Sequence, residues 1–306
     1  MLSLHTNAAA LSAQNSIGRT QSGLSTSMTR LSTGFRINSA MDDAAGLQIA
    51  TRLKTQTSGM GVAMRNTQNS ISMLQTAEGA LDETTNILNR MKDLATQAAD
   101  GSSTLADQTA MQAEFNSLSD ELSNIFGNTK FGGTTLLNSA TGKMTAAITF
   151  QIGASTGETL SANFTAELGT TGAGTGAAGK IKLAAVGFTD AGAGAATGTE
   201  ISDTATSSAT VGSTNANATI DKLATAIDAV GALRSKLGAV SNRLDHVYNN
   251  LSNISTNTKN ATGRIMDVDF ASESAQMTSS QMLLQAGTAM LKQSNSQSSL
   301  VMSLLQ

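Results

Sequence analysis

The chain of 306 residues has no cysteine, no proline and no tryptophan, and its aromatic side chains amount to 8 Phe and 1 Tyr. Without cysteine there can be no disulfide framework, zinc–thiolate site or iron–sulfur cluster. With only His5 and His246, histidine-based catalysis has almost no material. Without proline, helices can run uninterrupted. Charge is scarce as well: 19 basic and 22 acidic residues make 13% of the chain, against a usual ~25%. A net charge of −3 and a pI near 5.4 leave no basic footprint for nucleic acid or an anionic membrane, so no nucleic-acid partner is implied. No run reaches the ~18 apolar residues of a membrane span, and no membrane insertion is expected. Residues 1–23 lack both a basic region and a continuous apolar stretch. The expectation is a soluble chain that, if exported, carries no cleaved secretory signal.

What is present is apolar but small: hydrophobic residues make 40% of the chain, mostly Ala, Leu, Ile, Val and 14 Met. Such a set suits helix–helix seams better than an aromatic-anchored globule. Composition changes near residues 140 and 218, and the outer parts resemble each other more than the middle. Within 60–100, Leu74, Leu81, Leu88 and Ala95 recur every seventh residue, with Ala77, Thr84, Met91 and Ala98 three residues on. Within 218–263 one column holds Leu223, Val230, Leu237, Leu244 and Leu251, the other Ala226, Leu233, Val240, Val247 and Ile254. These are a/d heptad seams. At a rise of ~1.5 Å per residue each makes a rod of roughly 60 Å, and matched rods separated by an insertion suggest partners within one chain.

Ser39-Ala-Met-Asp42 ahead of Ala44-Ala-Gly-Leu47 reads as a capping box opening a helix, after a loop around Gly34-Phe-Arg-Ile-Asn38. Leu105, Met111, Phe115, Leu118 and Leu122 predict a third helix running to about Phe126 and stopped by Gly127-Asn128. Alternation of Ile148, Phe150 and Ile152, then Leu160, Ala162 and Phe164, around Ser155-Thr-Gly157 predicts a small β-hairpin. Residues 169–217 are mostly Gly, Ala, Thr and Ser and read as a short insert of exposed loops with one or two strands. The ends, 1–35 and 264–306, offer narrow stripes (Leu24, Met28 and Leu31; Met282, Ala286, Ala289 and Met290) and no core of their own. Such ends are expected to be ordered only against another chain. The fold class is therefore mainly α: a long antiparallel helical hairpin or coiled-coil bundle formed by the N- and C-terminal regions, with a small β-hairpin and a short variable central insert.

No catalytic, cofactor-binding or metal-ligating set emerges. Asp42 and Asp43 are adjacent and would point apart on a helix, so their role is electrostatic, at a helix start. Gly174-Thr-Gly176-Ala-Ala-Gly179 matches a dinucleotide loop by letter, yet a strand-like run follows it where a helix should open. Asp267-Val-Asp269 lacks the remaining ligands of a calcium loop and reads as a local cap. Three classes remain on the residues alone: a self-assembling structural subunit, a signalling coiled coil with no visible sensor, and a secreted enzyme without a catalytic constellation.

The run Thr29-Arg-Leu-Ser-Thr-Gly-Phe-Arg-Ile-Asn-Ser-Ala-Met-Asp-Asp-Ala-Ala-Gly-Leu-Gln-Ile-Ala50 resembles the N-terminal signature of bacterial flagellins. Gln75-Thr-Ala-Glu-Gly-Ala-Leu81, Leu88-Asn-Arg-Met-Lys-Asp-Leu-Ala-Thr-Gln97 and Phe131-Gly-Gly-Thr-Thr-Leu-Leu-Asn138 resemble later family segments. So do Leu233-Arg-Ser-Lys-Leu-Gly-Ala-Val-Ser-Asn-Arg-Leu244, Arg264-Ile-Met-Asp-Val-Asp-Phe270 and Gln285-Ala-Gly-Thr-Ala-Met-Leu-Lys-Gln293. The likeness spans about 1–165 and 218–306 and fails over the middle.

The resemblance implies a homopolymeric, secreted filament protein of the bacterial flagellum. It divides the chain into 1–40 and 264–306 as an inner-tube helical domain, 41–168 and 218–263 as a long-helix shell, and 169–217 as a surface insert. The inner-tube assembly residues would be Leu24, Met28, Leu31, Met282, Ala286, Met290, Leu304 and Leu305. The implied partners are a flagellar export chaperone, the filament cap protein, hook–filament junction proteins and host flagellin receptors; no cofactor is implied. Arg30, Leu31, Ser32, Thr33, Gly34, Arg36, Ile37, Asn38, Asp42, Asp43, Gly46 and Leu47 resemble the epitope of the plant flagellin receptor kinase. Leu88, Arg90, Leu94, Gln97 and Glu114 match positions implicated in recognition by the flagellin-sensing Toll-like receptor, and Val301-Met-Ser-Leu-Leu305 resembles the tail sensed by cytosolic immune receptors. The hook–filament junction protein, with similar termini, is the nearest rival. Flagellins travel unfolded through an export channel, and a chain free of Cys and Pro avoids cross-links and slow X-Pro isomers on that route. Several prolines introduced into the loops should therefore slow filament growth; unchanged elongation, followed by light microscopy of labelled filaments, would contradict this link.

Overall fold

Seven-residue recurrence without proline produces the expected long helices. The computed structural model of the chain describes residues 7–138, 141–168, 200–202 and 209–304. Helix α1 (Ala8–Thr33) is followed by α2 (Ala44–Ala99) and α3 (Leu105–Asn128). Two short antiparallel pairs come next: β1 (Lys130–Phe131) with β2 (Thr134–Thr135), then β3 (Ile148–Gln151) with β4 (Thr159–Ala162). A short helix α4 (Thr165–Leu168) precedes α5 (Ala209–Met266) and α6 (Phe270–Leu304). The chain divides into a terminal unit (Met1–Ser58 with Ile254–Gln306) and a central unit (Gly59–Asn253).

In the central unit α2, α3 and α5 enclose the main core. All the seam positions Leu74, Leu81, Leu88, Leu223, Val230, Leu237, Leu244 and Leu251 are buried. The second column is buried at Ala77, Thr84, Met91, Ala98, Ala226, Leu233 and Val240, half-buried at Val247 and exposed at Ile254. Asp82 on α2 pairs with Arg234 on α5 at 3.0 Å. Met60 and Ala63 pack with Leu251, so the start of one rod meets the end of the other and the two run antiparallel. Phe115 and Leu122 of α3 fill the same core.

The hairpin forms as its alternation predicts, pairing Ile148 with Ala162 and Phe150 with Leu160, and turns all four into the core. Its connecting loop touches α2, where a Cβ at Gly59 would lie 2.8 Å from the Ala154 methyl. The third helix begins with a capping box that the apolar spacing did not reveal. Thr104 Oγ1 accepts from the Asp107 N–H, and Asp107 accepts from the Thr104 N–H and hydroxyl.

Two stretches differ from expectation. Helix α5 starts at Ala209 instead of 218, because Ala209–Thr219 continues the helical register and buries Ala216 and Thr219. Glu200, Ile201 and Ser202, expected in an exposed insert, are buried. Along the chain the two compact units divide at 58/59 and 253/254. The glycine motif 174–179 and the rest of the insert through 199 lie outside the described residues.

Leu237→Ala removes a fully buried side chain and should cost about 2–5 kcal/mol, whereas Met290→Ala on an exposed face should change monomer stability by less than about 0.5 kcal/mol. Urea unfolding followed by circular dichroism checks both.

Candidate functional site

The terminal unit holds α1, α6, the start of α2 and the end of α5, and its seam is the α1–α6 pair. The half-buried and buried positions of α1 are Ala10, Ala13, Ile17, Thr20, Leu24, Ser27, Arg30 and Leu31; those of α6, among its described side chains, are Glu273, Met277, Ser280, Leu284, Gly287, Leu291 and Ser294. Arg30 apart, both sets alternate steps of three and four, a heptad seam. Asn7 donates to Ser294 O at 3.2 Å, Ile17 meets Gly287, and Arg30 pairs with Glu273 at 3.6 Å, which makes the helices antiparallel. Counted from Ile17 and Gly287, that register sets Ala13 opposite Leu291, Thr20 opposite Leu284, Leu24 opposite Ser280 and Ser27 opposite Met277. Each of these layers places a small side chain against a large one, whereas the same register sets Leu31 opposite Glu273 and Ala10 opposite Ser294. At Gly287 the approach is closest: a Cβ there would stand 2.9 Å from Ile17 Cγ1.

Such a seam buries little. Ile37 and Ala50 are the buried apolar side chains of the terminal unit among the described residues, beside Ser27, Ser255 and Ser280. Conversely, among the described residues the exposed large apolar side chains belong to this unit except for Val62 and Val211. They include Leu11, Met28, Phe270, Met282, Leu283 and Met290, the last 67% exposed. The expected inner-tube set thus separates. Leu24 and Leu31 lie on the seam, whereas Met28, Met282, Ala286 and Met290 face away from it. Leu304 ends α6, and Leu305 lies outside the described residues.

The stretch 30–47 forms the end of α1, a turn and the start of α2. Gly34 takes a left-handed conformation (φ 74°, ψ 4°) and its N–H donates to Arg30 O, the geometry a helix C-cap requires of glycine. Phe35 bridges to Asp267, the Arg36 N–H donates to Met266 O at 2.6 Å, and the Val268 N–H donates to Gly34 O at 3.0 Å. Ile37 is buried against Gly46. The turn closes on Asp42, whose Oδ2 accepts from the Asn38 and Ser39 N–H groups at 3.0 and 2.9 Å. These hydrogen bonds, that from Ser39 first, hold the Asp42 carboxyl below the ordinary value of 3.8. The expected capping box therefore caps the turn; the helix itself is capped by Asp43, which accepts from the Gly46 N–H at 2.8 Å. Asp269 likewise caps α6 by accepting from the Ala271 N–H, the local role expected of it. Of the resemblance-derived epitope, Ser32, Thr33, Arg36, Asn38 and Asp42 are exposed, Arg30, Leu31, Gly34, Asp43, Gly46 and Leu47 half-buried, and Ile37 inaccessible.

The Toll-like-receptor set also separates. Arg90 and Glu114 pair across α2 and α3 at 2.6 Å, and they and Gln97 are exposed. Leu88 and Leu94 are 2% exposed and belong to the core. Spacing alone also missed a buried polar network. Gln112 donates to Glu200 and accepts from the Ile201 N–H, both at 2.8 Å, and the Thr219 hydroxyl donates to Glu200 O. Gln108 donates to Ala98 O and Ala209 O, tying the ends of α2 and α5 to α3. Glutamines on the inward stripe of α3 were the available signal. Among the described residues no cluster of His, Asp and Glu could hold a metal, and no helix is long and apolar enough to cross a membrane.

Comparison with known proteins locates this arrangement. A family model described as bacterial flagellin N-terminal helical region matches residues 4–141, and one described as bacterial flagellin C-terminal helical region matches 220–305. Polar flagellin F of Vibrio parahaemolyticus is 52% identical over 159 residues, which cover 52% of this chain and 41% of that protein. Flagellin C of Vibrio cholerae is 49% identical over 162 residues, covering 53% and 42%. The matched segment thus spans about two fifths of the length of these relatives. Among solved structures, one described as a flagellar hook-associated protein from Vibrio parahaemolyticus aligns with a TM-score of 0.57 at 19% identity. It covers 74% of this chain and all of that one, and shows likeness of fold.

Because the folded Asp42 carboxyl is the stronger acid, its contribution to the turn is present above the ordinary carboxylate value and is lost as pH falls through the lower folded value. Acidification through that range should lower the protection factors of the Asn38 and Ser39 amides, taken relative to the intrinsic exchange rate at each pH. In Asp42→Asn the acid-dependent step should vanish, as hydrogen-exchange mass spectrometry would read out.

Proposed function

Because the chain belongs to the bacterial flagellins, we propose that it is a structural subunit that polymerises into the flagellar filament, outside the cell, and has no enzymatic role. The observation that carries this reading is the concentration of exposed Leu, Met and Phe on α1 and α6, outside a seam that buries almost nothing. A patch of that kind is normally covered by a partner, and identical subunits with the same patch cover one another. On this reading the terminal unit lines the inner tube through Met28, Met282, Ala286, Met290, Leu304 and Leu305. Leu24 and Leu31 act indirectly, by holding the pair together. The central unit makes the surrounding shell, and the insert faces outward.

Passage unfolded through the export channel, with a chaperone, and addition under the cap protein belong to the same proposal. So does recognition by host receptors: the exposed Arg90, Gln97 and Glu114 and the turn 30–47 are the surfaces they would reach on a free subunit. A hook–filament junction protein is the second reading, favoured by the fold likeness to a hook-associated protein. Identity near 50% to Vibrio flagellins supports the filament reading over it.

Purified chain seeded with short filament fragments should elongate into long tubes under electron microscopy. Met282→Ser with Met290→Ser should raise the critical concentration several-fold, since each loses burial of about 1–2 kcal/mol, and leave monomer melting unchanged. Failure of the unsubstituted chain to elongate where a control flagellin does would favour the junction protein.

A further inference from the structure

Oxidation has one main target in this chain: 14 methionines stand against no cysteine, no tryptophan and a single tyrosine. The fold sorts those methionines sharply. Met60, Met73, Met91, Met111 and Met144 are at most 8% exposed and lie in the apolar clusters of the central unit. Met64, Met266 and Met277 are half-buried. Met28, Met282 and Met290 are 56%, 60% and 67% exposed, on the outward faces of α1 and α6, and Met41 on the turn is 97% exposed. Met282 and Met290 stand eight residues apart on α6 with Ala286 midway, so two turns of helix carry both thioethers along one side.

We propose that Met28, Met282 and Met290 of the free subunit are oxidation sites for hydrogen peroxide, and that their sulfoxides switch off polymerisation without unfolding the central unit. This inference rests on the filament reading and gives its interface a redox control. In each step the thioether sulfur attacks one peroxide oxygen: an S–O bond forms, the O–O bond breaks, and the sulfur gives up two electrons. The second oxygen takes the hydrogen of the transferred one and leaves as water. The product is a polar sulfoxide in place of an apolar, adaptable side chain. On the faces that neighbours would cover, each sulfoxide removes apolar area from the contact and adds a dipole that the contact must desolvate. The core methionines are shielded from the same reagent, which separates loss of assembly from loss of fold. Methionine sulfoxide reductases, one for each sulfoxide epimer, reverse the change. They return the thioether with two electrons from a pair of thiols, and the oxygen leaves as water.

The test treats full-length free subunit with dilute hydrogen peroxide, removes the excess with catalase and then adds filament seeds. Peptide mass spectrometry should find one added oxygen on Met28, Met41, Met282 and Met290 ahead of the half-buried and buried methionines. The critical concentration for elongation should rise several-fold, while melting of the central rods by circular dichroism stays unchanged. Both reductase types together should then restore elongation. A Met41→Leu chain separates the turn from the helices: oxidation should cost it as much, relative to its own untreated sample, as it costs the unsubstituted chain. Four results would overturn the redox control and leave the filament reading standing. They are core methionines oxidised first, oxidised subunit elongating like untreated subunit, a loss that persists after mass spectrometry shows the thioethers restored, or a Met41→Leu chain indifferent to peroxide. Failure of the untreated chain to elongate where a control flagellin does would overturn both.

Discussion

Two helices can bury only the faces they turn to each other, and on α1 and α6 those faces carry Ser27, Thr20, Ser280 and Gly287 among their larger neighbours. The small side chains let the helices approach closely but leave little apolar area to remove from water, at roughly 25 cal/mol per Å². The large apolar groups that could have supplied it, Met28, Met282, Leu283 and Met290, point outward. An isolated pair with that distribution is marginal. Its stability depends on what covers the outward faces, and the proposed polymer follows from that shortage.

The central unit is the complement. Its leucines point inward at seven-residue intervals, α3 and the hairpin close the remaining sides, and Phe115, Phe164, Leu136 and Leu137 leave no gap in exposure. The Gln112–Glu200 network anchors the chain where it re-enters the bundle ahead of α5. The described chain therefore leaves the bundle at residue 168 and returns to it at residue 200 on fixed points. The central unit buries its own apolar side chains, whereas the terminal unit leaves its large ones exposed for the neighbours that the proposed polymer would supply.

Much of this was legible in the residues. The heptad columns specified the rods and the inward leucines, because on a long proline-free chain spacing and burial are nearly the same information. The hairpin was legible from its period of two. The helix starts were not read correctly, since Ser39, Asp42 and Asp43 offer competing acceptors within five residues. Only the fold shows that Asp42 closes the turn and Asp43 caps the helix. The start of α5 was hidden by Ala209–Thr219, whose Ser, Thr, Asn and Gly composition matches the insert that precedes it. Within the resemblance-derived sites, burial divides what sequence lists together: Leu88 and Leu94 serve the core, Arg90 and Glu114 the surface.

The most direct test is amide hydrogen exchange measured segment by segment on the free subunit and on its polymer. The account predicts weak protection of α1 and α6 in the free subunit beside strong protection of the 74–98 and 223–251 rods, with the terminal helices becoming strongly protected on polymerisation. Terminal helices already as protected as the rods in the free subunit, and unchanged in the polymer, would contradict it.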